Sequence, residues 1–266
     1  MLLITREKVS HTIKNILLYS FHICTPQNFS TMALQIVDKI LEKGEYVEEK
    51  TSKNTIYLHH TAGSHRADWT IEAWNKDRSA TTKARVRVAT AFVIGGLDKQ
   101  GSDKDGMDGK IYRAFDENFW ASHLGLKTQN NNLLNKQSIG IEICNYGPLT
   151  KSSTGKFFTY VNSEVHPSQA CNLGYNFRGF QYHQSYSDKQ IASLKELLLF
   201  LSNKFTIDLK KGLFNLLDLP KGGGFEIKTD ALSGKPGVWS HTNVRKDKFD
   251  IHPQPELTAM LKSLGT

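Results

Sequence analysis

The sequence predicts an α/β fold in a single domain, with a central mixed β-sheet flanked by helices. Three observations carry that reading. Short β-rich runs, "TIYLHH", "VRVATAFVIGG" and "SIGIEICNYG", recur along the chain with helical patterns between and after them. The segment "SDKQIASLKELLLFLSNKF" places Ile191, Leu194, Leu197, Leu198 and Leu201 on one face of a helix. The 266 residues contain no internal repeat and no linker long enough to separate a pair of domains.

Taken in order, the elements are as follows. Residues 1–31 read as an N-terminal extension, with Arg6, Lys8 and Lys14 ahead of "ILLYSF". That apolar run is shorter than the core of a usual secretory leader, and no small-residue cleavage site follows it. The folded unit is expected over 32–266. From Ala33 to Leu41 apolar residues recur at helical spacing, and Gly44 offers a stop. "TIYLHH" is a short buried strand, and "ADWTIEAWNKD" a helix after the HHTAG loop. Val86–Ile94 is a second strand and "KIYRAF" a third, joined by a long Gly- and Asp-rich hairpin loop. Asp98–Asp108 superficially resembles a calcium loop, but it lacks the ligand order and terminal glutamate of an EF-hand and reads as a solvated turn. "SIGIEICNYG" alternates with period two, which predicts a half-buried strand with Glu142 facing away from Ile139, Ile141 and Ile143. Residues 148–185 show little periodicity. Ser187 is the expected N-cap of the long helix, "PKGGGF" is a loop, and Pro255 opens a closing helix.

Composition narrows the function. The charge of +8 suits an anionic partner such as a wall polymer, a nucleic acid or lipid head groups. No basic tail, zinc finger or RNA-binding signature is present, which sets nucleic acid aside. No run approaches the ~20 apolar residues of a membrane helix. The three cysteines, Cys24, Cys144 and Cys171, have no CxxC spacing, which argues against a disulfide framework.

Ten histidines beside so few cysteines direct attention to sites built from His and carboxylate. A catalytic zinc takes three protein ligands and keeps a fourth position open. Candidates stand where strands or loops end: the His59–His60 pair, His241, and Asp250 or His252. Glu142, on a strand face that otherwise carries Gly and Cys, is a candidate base. Each also has an ordinary reading as a polar strand end, a turn residue or a solvated edge.

The blocks "LHHTAG", "ASHLG", "SIGIEICNYG" and "SHTNVRKDKFDIHPQPEL", in that order, resemble those of the zinc-dependent N-acetylmuramoyl-L-alanine amidases. That family includes peptidoglycan recognition proteins and the amidase-type lysozymes of phages. The resemblance spans about Thr55 to Leu257 and implies the amidase-like fold. It also implies a Zn2+ cofactor held by His59, His241 and Asp250. Glu142 and Lys248 would be catalytic, as base and as partner of the oxyanion. His123, Trp120, His60 and Thr90 would line the substrate groove, with His60 pointing away from the metal along the pleat.

Two departures bear on these assignments. Many members have a proline directly after the third ligand, whereas Ile251 and His252 separate Asp250 from Pro253 here. The proline would favour His252 and the Lys-x-Asp spacing favours Asp250; the lysine decides, because choosing His252 leaves it out of register. Thr90 stands where phage members have a catalytic tyrosine, which leaves Glu142 as base.

The implied activity is hydrolysis of the amide between N-acetylmuramic acid and L-alanine in peptidoglycan. It would come from a soluble monomer acting on the cell wall, without nucleic acid or membrane insertion, as in a phage endolysin or a host wall enzyme. Two alternatives stay open: a recognition module that binds peptidoglycan without cutting it, and a zinc peptidase cutting within the peptide stem.

Overall fold

The computed structural model describes residues 34–265, so the expected extension over 1–31 lies outside the described residues. In chain order the strands and helices are β1 (Ile36–Asp38), β2 (Thr55–His60), α1 (Ala67–Lys76), β3 (Phe92–Ile94), β4 (Ile111–Arg113), α2 (Asn131–Gln137) and β5 (Ser138–Ile143). A group of short strands follows: β6 (Pro148–Lys151), β7 (Phe157–Phe158), β8 (Glu164–Val165), β9 (Ala170–Phe177) and β10 (Phe180–Gln184). The chain closes with α3 (Asp188–Phe205), α4 (Thr229–Leu232), β11 (Gly237–Ser240) and α5 (Pro255–Ser263).

Six strands form the main sheet in the order β1-β4-β3-β5-β2-β11. It is mixed, as expected: β3, β5, β2 and β11 run parallel, and β4 pairs antiparallel with β3. The long hairpin between β3 and β4 is also as expected. Its carboxylates are less solvated than expected: Asp98 accepts from the Gln100 and Ser102 amides, and Asp103 pairs with Lys189 on α3.

β5 departs from the half-buried strand that its alternation suggests. It lies between β3 and β2, and all six of its residues are buried. Alternation here separates two buried faces, as in sheets covered on both sides. Ile139, Ile141 and Ile143 share one apolar cluster with Leu194, Leu197, Leu198 and Leu201 of α3. The other face holds Gly140 and Glu142. α3 starts as expected, with Ser187 and Gln190 forming a reciprocal capping box. Gln190 also donates to the Cys144 carbonyl at 2.8 Å, which ties this helix start to the end of β5.

The helix expected from Ala33 to Leu41 is instead strand β1 over its middle. Nine residues are too few to hold a helix without tertiary support. Ile36–Asp38 pairs in parallel with Ile111–Arg113, and Arg113 clasps the Asp38 carboxylate with two hydrogen bonds of 2.8 and 2.9 Å. Sheet pairing wins even though it leaves Val37 38% and Ile40 50% exposed. The strand expected over Val86–Ile94 shrinks to Phe92–Ile94, because the residues before it leave the sheet and line a cleft. α2 was not foreseen, and "PKGGGF" forms a kinked 3-10 segment where a loop was expected.

The unpatterned stretch 148–185 forms a second, five-stranded antiparallel sheet in the order β8-β7-β6-β10-β9. Its own core is only Leu149, Phe157 and Val165. β6, β7 and β8 are short, β9 shows no regular alternation of buried and exposed residues, and the register shifts between Phe180 and Tyr182, so the stretch offers no period to detect. Among the described residues Cys144 and Cys171 are free thiols, and no helix is long and apolar enough to cross a membrane.

Candidate metal centre and catalytic cleft

The candidate site lies at the C-terminal ends of β2, β5 and β11, where a parallel sheet offers a crevice. Parallel register pairs His59 with Glu142, so both side chains leave the sheet on the same face. Gly140 precedes Glu142 on that face. A Cβ at this position would lie 2.8 Å from Thr90 Cγ2 and 3.1 Å from His123 Cγ, so only glycine leaves room for those side chains. β11 delivers His241 into a short 3-10 turn, which the Ser240 and Asn243 side chains cap reciprocally. Asp250 returns to the same point, its carbonyl accepting the Thr242 amide at 3.0 Å.

His59 Nδ1 lies 3.0 Å from His241 Nδ1, and Asp250 Oδ2 lies 2.8 Å from the latter and 3.3 Å from the former. The hydrogen-bond network around these rings fixes their protons. His241 Nε2 faces the Leu124 carbonyl at 3.0 Å, an acceptor, so this nitrogen carries the hydrogen. On the other side the Ser138 hydroxyl donates to the Leu134 carbonyl at 2.6 Å. Ser138 therefore accepts from His123 Nε2 at 2.9 Å, and His123 Nδ1 in turn accepts from His59 Nε2 at 3.0 Å. Both Nδ1 atoms are thus bare lone pairs, facing each other and a carboxylate oxygen.

Three acceptors this close, with no proton among them, repel unless a cation joins them. A tetrahedron with metal–ligand bonds of about 2.0–2.1 Å has edges of roughly 3.3 Å, close to the separations seen here. Burial, followed by the neighbouring His241, lowers the His59 pKa to about 4, which keeps the ring neutral as a ligand must be. The residues present therefore fit a small dication such as zinc.

The cleft over this group encloses about 400 Å³ and is lined by Thr90, His123, Glu142 and Lys248, among others. Burial, and secondarily the Asp250 charge, pushes the Glu142 pKa up to about 8 against the opposing pull of Lys248. No hydrogen bond from the described residues holds its carboxyl group. It is free to meet a ligand.

The other expected groove residues divide. Thr90 lines the cleft, with its hydroxyl donating to the Phe92 carbonyl at 2.9 Å. His123 also borders it, but both ring nitrogens are engaged behind His59, so its place is to orient that ring. Trp120 does not line the cleft. Its indole donates to Glu49 at 3.0 Å, and Lys136 sits over the ring. His60 touches the rim while its Nδ1 engages the Tyr186 hydroxyl at 3.0 Å, away from the three donors.

One positioning residue escaped sequence reading. Arg178, in the tight turn between β9 and β10, donates to the carbonyls of Thr242, Arg245, Lys246 and Lys248 at 2.8–3.0 Å. The second sheet thereby clamps the loop that runs from His241 to Asp250. An Arg-Gly turn carries no sequence signal for that role.

His252, the rival third ligand, points away from the three donors. Its ring stacks on Tyr186 at 4.3 Å and on His183 at 4.6 Å, and neither His252 nor His183 has a hydrogen-bond partner on either ring nitrogen. Burial lowers the His183 pKa from 6.5 to about 3. The unfolded chain binds that proton below pH 6.5 and the folded one does not, so lowering the pH from 6.5 toward 3 drains stability. His60 and His252, also shifted down by burial, act in the same direction. Thermal melts of the metal-free protein should therefore show a falling midpoint from pH 7 to 4.5, with a shallower fall in His183→Leu. Equal slopes in the two proteins would refute the assignment.

Residues 49–250 match a family model described as N-acetylmuramoyl-L-alanine amidase. No curated protein matches the chain. Among solved structures, N-acetylmuramoyl-L-alanine amidase LysC from Clostridium intestinale is similar at 16% identity, over 87% of this chain and 98% of that one, with a TM-score of 0.45. PlyL is similar at 13% identity over 86% and 96% of the two chains, with a TM-score of 0.44. The E. coli N-acetylmuramyl-L-alanine amidase AmiD, in complex with anhydro-N-acetylmuramic acid-L-Ala-D-gamma-Glu-L-Lys, is 18% identical over 64% of this chain and 49% of that chain, with a TM-score of 0.34.

Proposed function

Because the chain belongs to the N-acetylmuramoyl-L-alanine amidase family, we propose that it cuts peptidoglycan by zinc-dependent hydrolysis of the amide joining N-acetylmuramic acid to L-alanine. The observation that supports the zinc reading best is the meeting of three unprotonated donor atoms, on His59, His241 and Asp250, beside a free carboxyl group. A zinc ion held by His59, His241 and Asp250 would supply Lewis acidity toward the amide carbonyl and would bring the pKa of water near 7.

The chain's own residues do the rest. Glu142, with its pKa raised by burial, drops back toward neutrality once positive charge sits among the donors, and can then both take and return a proton. It accepts the proton of the attacking water and delivers it to the nitrogen of the departing L-alanine. Lys248, at the cleft wall, faces the negative charge that develops on the carbonyl oxygen. His123 and the Leu124 carbonyl keep the two ligand imidazoles in the tautomer that leaves Nδ1 free. We place this activity in wall lysis, the setting of a phage endolysin or a host wall enzyme.

The test is mass spectrometry of a defined muropeptide incubated with the protein, with and without a zinc chelator. The expected products are the free muramyl sugar and an intact peptide beginning at L-alanine, both lost with chelator. Cuts within the stem would overturn the bond assignment. An uncut muropeptide with zinc bound would favour a recognition module instead.

A further inference from the structure

A second groove of about 410 Å³ adjoins the cleft and shares Ala62 and Phe249 with it. Pro148, Thr150, Tyr160 and Phe180, all from the second sheet and its turns, complete the lining. No ionisable carboxylate, ammonium or guanidinium is among these six residues. Phe180 meets Phe249 edge to face at 5.6 Å and 83°, and Phe249 stands between Lys248 and Asp250. Tyr160 is 74% exposed. It is nevertheless held in place by the turn after β7, where Thr159 and Ser163 hydrogen-bond to each other through backbone and side chain.

We infer that this groove is a subsite for the glycan strand of peptidoglycan, with sugar rings packing on Tyr160, Phe180 and Phe249. The inference rests on the amidase reading above and extends it. A substrate seated at the metal centre has two directions to run. Beyond L-alanine the peptide stem carries ionised groups, which a neutral aromatic groove would strip of water without replacement. The glycan presents pyranose faces rich in C–H bonds, which suit aromatic surfaces, and polar hydroxyls around their edges. Continuity through Phe249 carries the groove on from the cleft, so it is the sugars beyond the one next to the scissile amide that would reach it. The second sheet, absent from the sequence-level expectation, would thus serve both to clamp the catalytic loop through Arg178 and to hold substrate.

The experiment is calorimetric binding of a peptide-free tetrasaccharide of alternating N-acetylglucosamine and N-acetylmuramic acid to the whole protein and to Tyr160→Ala. Tyr160 is exposed, so its truncation leaves the core intact. Binding should weaken about tenfold in Tyr160→Ala and persist in Tyr160→Phe, which keeps the ring. With a multi-sugar muropeptide KM should rise similarly at unchanged kcat, while cleavage of a single-sugar muramoyl peptide stays at its wild-type rate. No binding by the wild-type protein, equal binding by the two variants, or equal losses on long and short substrates would overturn the subsite. Tyr160-dependent glycan binding by a protein that cuts no muropeptide would sustain the subsite and sink the amidase reading alone.

Discussion

Glu142→Gln is expected to lower kcat on a defined muropeptide by about 10²–10⁴-fold, the usual worth of a positioned acid–base group. Zinc content should be unchanged, because Glu142 is not among the three converging donors. The variant also makes a second, independent prediction. Burial raises the Glu142 pKa to about 8, so the unfolded chain ionises this group at a lower pH than the folded one does. The stability Glu142 allows is full below its unfolded value of 4.5 and is lost as pH rises toward 8. A glutamine of the same shape never ionises and escapes that loss. Metal-free Glu142→Gln should therefore melt at a higher temperature than the metal-free wild type at pH 8, and at nearly the same temperature at pH 4. Greater stability with less turnover is the pattern of a group kept for chemistry at the expense of the fold. Wild-type turnover in the variant would remove Glu142 from the mechanism, and a matching loss of stability at pH 8 would mean that its carboxyl group is structurally engaged.

Much of this arrangement was legible in the sequence because it rests on local signals. The strand ending in His59, the N-cap at Ser187 and the leucine face of α3 each follow from a few neighbouring residues, and the structure keeps them. What stayed hidden depends on partners far along the chain. Helical spacing over Ala33–Leu41 could not announce that Ile111–Arg113 would offer β1 an edge. The period of β5 was right, but its meaning depended on what covered the second face. The second sheet was invisible because β6–β8 are short, β9 buries its residues without regular alternation, and the sheet's own core is three side chains. For the site, the three donors came from the resemblance of the sequence blocks, with the Lys-x-Asp spacing choosing Asp250 over His252, whereas nothing in the sequence pointed to the carbonyl-anchored chain through Ser138 and His123. Trp120 stands apart from the cleft. Its position beside a groove block suggested sugar packing, but its side chain is taken up by Glu49 and Lys136.

Removing a ligand should have the other large effect, and Asp250 against His252 is its sharpest form. Both residues follow Lys248 closely, and the sequence offers a spacing argument for each. Side-chain direction separates them: Asp250 Oδ2 reaches both bare imidazole nitrogens, while His252 lies flat between Tyr186 and His183. Asp250→Asn keeps the shape but removes the only formal negative charge of the donor set. Zinc affinity should fall by more than about 100-fold, beyond the usual cost of losing an outer-shell partner, and turnover should fall with it. His59→Ala and His241→Ala should behave alike. For His252 an alanine would open a hole in the stack and confuse unfolding with metal loss. His252→Phe preserves the stacked ring, and because both nitrogens of His252 lack partners it breaks no hydrogen bond. That variant should hold zinc at wild-type stoichiometry and keep most of its turnover. Zinc lost from His252→Phe but retained by Asp250→Asn would exchange the two roles. It would also require the loop clamped by Arg178 to turn over when metal enters, a rearrangement that its four carbonyl contacts oppose.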